Sequence, residues 1–83
     1  MTVSVDDVRR LLATDVADAV LVLVQGHTDV IPAAQLETYE YRGALRIISR
    51  TDLISRARGA QMPEQQMEEE AARLDSTIAN LGA

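Results

Sequence analysis

AVLVLV, residues 19–24, followed by QGHTDVIP, residues 25–32, is the stretch that decides the fold. An apolar run rich in β-branched valine, with no polar alternation, suits a central strand covered on both faces. It is far too short to span a bilayer. QGHTD, residues 25–29, reads as a turn in which Gly26 can take a positive φ. Val30 and Ile31 begin a second extended piece. Pro32 has no N–H to give a ladder, so this piece cannot be a fully paired central strand. Together these residues predict a β-hairpin.

Upstream, Val5, Val8, Leu11 and Leu12 recur at helical spacing. Ser4 with Asp7 three residues on has the form of a capping box, and Asp15 and Asp18 end the helix near Thr14. Downstream, residues 33–42 are ambiguous: Ala33, Leu36 and Glu40 suit a short helix begun by Pro32, Leu36, Thr38 and Glu40 equally suit a polar-edged strand, and the preferred expectation is a short helix or an irregular crossover. After Gly43, ALRIISR alternates, with Leu45, Ile47 and Ser49 on one face and Arg46, Ile48 and Arg50 on the other, which predicts a third strand. Ser49 then caps a short helix with Asp52 as its partner, Leu53, Ile54 and Ala57 buried, and Gly59 as the stop.

The last segment is an amphipathic helix from Pro63 to Leu81. Proline fits its first turn and Gly82 closes it. Glu64, Glu68, Glu69 and Glu70 crowd the end where the helix dipole favours acids, and Glu69 can pair with Arg73 at i,i+4. Met67, Ala71, Leu74, Ile78 and Leu81 form a stripe with an a/d rhythm. Such a stripe packs either on its own domain or against a partner, and it is the expected oligomer interface. The predicted fold is α+β. A three-stranded sheet, made of the hairpin plus a third strand, is packed by helices within residues 1–59. Residues 60–83 form the long C-terminal helix, which is part of the same single domain or a dimerisation arm.

Composition narrows the function. The chain has 83 residues and 47% apolar content but no Phe, no Trp and two tyrosines, Tyr39 and Tyr41. A core of Val, Leu, Ile and Ala in so short a chain gains from burying more surface against a second copy. The absence of Cys excludes disulfides and thiolate metal sites. Met1–Asp7 has neither the basic start nor the apolar run of a secretory signal. The expected location is cytoplasmic, with no membrane contact.

Charge is segregated within a net −5. Residues 1–41 hold two Arg and seven acids, residues 42–59 five Arg and one Asp, and residues 60–83 one Arg and five acids. Arg42, Arg46, Arg50, Arg56 and Arg58 therefore form a candidate anion-binding segment. The competing expectation is that they pair with the acidic run at 64–70 of the same chain or of a neighbour. The overall negative charge and the lack of interleaved aromatics disfavour nucleic acid. His27, in its turn, has too few neighbouring ligands for a metal and no nucleophile to serve. No catalytic residue, metal or cofactor is expected.

Two stretches resemble known families. IISRTDL, Ile47–Leu53, is similar to the last strand and helix start of CBS domains. That resemblance implies contact with an adenosine nucleotide, with Ser49 at the hydroxyl position and Asp52 at the ribose-binding position; a plain helix cap uses the same two residues. VLVLVQGHTDVIPAAQLETY, Val20–Tyr39, resembles the hairpin-then-helix of small antitoxins of the Phd type, which implies a dimeric regulator. The leading expectation is a non-enzymatic protein–protein interaction module that homodimerises, or assembles further, through the last helix and a sheet surface. Its partner would be itself and possibly another protein. The alternative is a regulatory protein, antitoxin-like or sensing a nucleotide or nucleic acid, that uses Arg42–Arg58.

Overall fold

A computed structural model of the chain describes residues 2–57 and 62–82, with the backbone alone described for Ala57, Leu81 and Gly82. The first element is α1, Val5–Ala13. Its capping box is complete: Ser4 Oγ accepts from the Asp7 N–H, and the Asp7 carboxylate accepts from the Ser4 N–H at 2.9 Å. Asp7 reaches further than a cap requires, because its other oxygen accepts from Thr28 Oγ1 at 2.8 Å. The cap thus also ties α1 to the hairpin.

β1, Ala19–Val24, and β2, His27–Pro32, form the hairpin, with Val24 opposite His27 and Ala19 opposite Pro32. The loop is shorter than the sequence suggests. Only Gln25 and Gly26 turn, at φ 50° and 83°, the positive pair that a two-residue loop of type I′ needs. His27, Thr28 and Asp29 belong to the strand, because this tight turn matches strand twist and lets pairing begin at once. Pro32 ends the edge strand, where its missing N–H costs no ladder bond.

Two short 3-10 turns follow, Ala33–Glu37 and Tyr39–Tyr41. They lead to β3, Leu45–Ser49, which pairs antiparallel with β1. The strand order is β2-β1-β3, so β1 is central and β2 and β3 are edges. One face of β1 offers Ala19 and Leu21 to the helices, and the other offers Val20 and Val22 to Ala33, Leu36, Tyr41 and Ala44. Coverage of both faces explains why AVLVLV lacks polar positions.

β3 departs from the simple alternation. Ile48 lies opposite Leu21 but Arg46 lies opposite Val22, with the register shifting between them. The extra residue is a β-bulge at Ile47, and a bulge reverses alternation beyond it. Ile47 and Ile48 consequently both pack against the helix-side core.

α2, Arg50–Ala57, follows directly, with Ser49 Oγ accepting from the Asp52 N–H at 3.1 Å. Leu53 is fully buried and Ile54 packs beside it. Gly59, expected as the stop, lies outside the described residues. α3 is Glu64–Gly82, so Pro63 precedes the helix and its carbonyl accepts the first turn's bond from Met67. α3 packs mainly on α1, and one cluster joins Val3, Val8, Leu11, Leu21, Leu53, Ala71 and Leu74. The architecture is α+β, as the sequence predicts, with the helices on one face of an open antiparallel sheet.

Candidate functional site

The α3 stripe faces inward. Ala71 and Leu74 are buried, Leu74 at 3% exposure, and Met67 and Ile78 pack half-buried on the same core. Leu81, the fifth stripe residue, has no described side chain. The face that periodicity marks is thus occupied by α1 and the sheet of its own chain. Two further contacts fasten it. Glu64 pairs with Arg9 at 2.8 Å, and Asp75 accepts from the Thr2 and Val3 N–H groups at 2.6 and 3.0 Å. Those two donors hold the Asp75 carboxyl below its ordinary value.

The arginine segment is divided among several tasks. Arg42 follows the second 3-10 turn and is exposed. Arg50 reaches back to the Leu12 carbonyl at 3.4 Å, and its Nε is buried without a partner. Arg56 meets the Glu70 carboxylate at 3.5 Å, and Arg73 meets it from the other side at 3.2 Å. Arg58 lies outside the described residues. Within the segment only Arg56 is answered by Glu70 among the described residues, and Glu70 is only 4% exposed. Arg73 pairs with Glu70 at i,i+3 rather than with Glu69 at the expected i,i+4, since Glu70 is the one turned toward the core.

Arg46 has another position. It projects from β3 and, with Ile47, Ile48 and Ser49, lines an open groove of about 470 Å³ completed by Asp52 and Arg56 of α2 and Leu74 and Thr77 of α3. Ile47 and Ile48 lie on the helix side while Arg46 is paired opposite Val22 of the other face, so a groove touching all four follows the edge of the strand. Among the described residues that edge has no neighbouring strand. Leu45 stands partly exposed at its start. A free strand edge carries a row of backbone donors and acceptors ready for another chain. The groove therefore combines an unpaired backbone, some apolar surface and a basic wall.

Searches of family models, curated proteins and solved structures give no match to this chain. What the site can do rests on its own geometry.

Ser49 and Asp52, singled out by the CBS resemblance, lie in this groove and also form the α2 cap. His27 lies elsewhere, exposed beside a shallow hollow with Val24, Gln25, Tyr39, Glu40 and Tyr41. Nearby, the Tyr41 hydroxyl donates to Asp29 at 2.9 Å, which raises the phenol's pKa above its ordinary value. Tyr39, at 89% exposure, is the most exposed large apolar side chain described. Among the described residues no three His, Asp or Glu side chains are grouped to hold a metal, and no helix is long and apolar enough to cross a membrane.

Sequence reasoning names Arg46, Ser49, Asp52 and Arg56 but does not join them to Leu74 and Thr77. The missing information is strand order: nothing local to ALRIISR says that its second side stays unpaired.

Proposed function

We propose that this chain is a small non-enzymatic protein–protein interaction module working through the free edge of its sheet. The observation that carries this reading is the groove along β3, where four strand residues, Arg46 among them, and Arg56 of α2 line an edge unpaired among the described residues. Strand addition gives affinity through main-chain bonds and specificity through alternate side chains. The C-terminal helix supports the module by completing the core, since Ala71 and Leu74 are spent there.

A photo-crosslinking residue at position 45, beside the edge, tests the reading in the cell that makes the protein. It should give discrete adducts with a protein partner, while the same residue at Arg9, on α1 and not among the groove's lining, should give none. Equal labelling from both positions, or none from position 45, overturns the reading. A second reading is favoured by Ser49 and Asp52 sharing the groove with Arg46 and Arg56: a regulatory module that takes an adenosine nucleotide there. A thermal shift with AMP or ATP, abolished by Asp52→Ala, is its expected signature, and an unchanged melting temperature refutes it.

A further inference from the structure

The groove's charge specifies its occupant. We infer that the β3 edge binds an extended, acidic–apolar segment of another protein, which adds as a fourth strand beside Arg46 and Arg56. This rests on the interaction reading above and adds the partner's chemistry.

Three observations converge. First, β3 is an edge strand with its outer side unpaired among the described residues, and its bulge at Ile47 keeps two isoleucines on the helix-side core while Arg46 remains exposed. Second, Ile47 is only half-buried at the groove, beside the buried Ile48 and Leu74, and offers apolar surface to a side chain of an added strand. Third, the wall is basic. Arg46 makes no ion pair among the described residues, and Arg56 is 40% exposed although it also meets Glu70. Among the described residues Asp52 is the one acid that lines the groove, and it stands at the N-terminal end of α2.

The same charges argue against a second copy as the occupant. A two-fold interface presents the same patch to itself. Pairing β3 with β3 would therefore gather Arg46 and Arg56 of both copies, four arginines, in one interface, and like charge concentrated there is unfavourable. Arginine on an edge is also how proteins discourage edge-to-edge pairing. An acidic strand turns that guard into a selector, because it supplies the missing counter-charge where another copy adds to the repulsion.

The test uses the whole chain and labelled seven-residue peptides of alternating Val with Glu, Lys or Thr, followed by fluorescence anisotropy. The Val–Glu peptide should bind, more weakly as salt rises, and the Val–Lys peptide should not. Arg46→Glu, at an exposed position that folding tolerates, should weaken the Val–Glu peptide about three- to fivefold and improve Val–Lys. Two Val–Glu peptides, N-methylated on opposite sets of alternate residues, give a readout independent of the variant's folding. One should bind and the other fail, because only one set of amides faces β3. Val–Thr binding as tightly as Val–Glu would overturn the acidic partner while leaving strand addition standing. No binding by any peptide would overturn both and leave Arg46 as a guard alone. A doubled mass in light scattering that falls to the monomer on Ile47→Pro would assign the edge to a second copy and refute the inference.

Discussion

Replacing Leu74 with alanine should destabilise the isolated chain by about 2–3 kcal/mol, because its side chain fills space between α3, α2 and the sheet. Leu74 is 3% exposed and belongs to the cluster that joins α1, β1, α2 and α3. Leucine-to-alanine changes in cores cost about 2–5 kcal/mol, the spread depending on how far the cavity can collapse. Leu74 also borders the open groove, so neighbours can relax and the lower half of that range applies. A domain of this length has roughly 4–12 kcal/mol in all, which makes the loss a large share and lowers the melting temperature by about 8–24 °C. Urea unfolding followed by circular dichroism reads it directly. Ile78→Ala, at a half-buried position, should cost about 1 kcal/mol, roughly a methylene or so of buried surface. The decisive control is concentration. A stripe packed within one chain gives a midpoint independent of protein concentration, whereas a stripe packed between chains gives one that rises with it. A Leu74→Ala midpoint equal to the wild type's, or a wild-type midpoint that climbs between about 5 and 500 μM, would refute the intrachain packing.

Gln25 adopts φ 50° without the short side chain or missing Cβ that eases this conformation. Gln25→Asn should therefore stabilise the hairpin by about 0.5–1 kcal/mol. Gly26→Ala should cost about 1–2 kcal/mol through φ alone, since nothing lies within 4 Å of the added methyl; chemical denaturation measures both. Asp7→Ala removes a helix cap and the bond to Thr28 together and should cost about 2 kcal/mol, more than Thr28→Val, in the same assay. Asp75 has a depressed folded pKa, so its contribution is present above the ordinary carboxylate value of 3.8 and is lost as pH falls through the folded value. The stability gap between wild type and Asp75→Asn should be constant from pH 7 to about 5 and close below about 4. A gap that widens in acid would contradict the Thr2 and Val3 contacts.

The sequence made some of this legible and concealed the rest for definite reasons. AVLVLV reads as a central strand because burial on both faces leaves no polar position, and β1 is central. HTD did not read as strand because its exposed and half-buried residues carry no apolar alternation. The bulge at Ile47 was invisible, since alternation assumes one residue opposite one residue. Periodicity showed that α3 has a face to bury but was silent about which surface covers it. Among Glu68, Glu69 and Glu70, composition could not say that the third turns inward between Arg56 and Arg73. The groove needed both strand order and the approach of α3 to β3, which no local pattern encodes.

Amide hydrogen exchange at Leu45–Ser49, followed residue by residue in the nitrogen-15-labelled chain, tests the free edge most directly. With β1 amides protected throughout, the outward amides of β3 should exchange readily in the chain alone and become protected when the Val–Glu peptide is added. Outward amides already protected in the free chain at low concentration, or unchanged when the peptide saturates, would contradict an open edge built to take a strand.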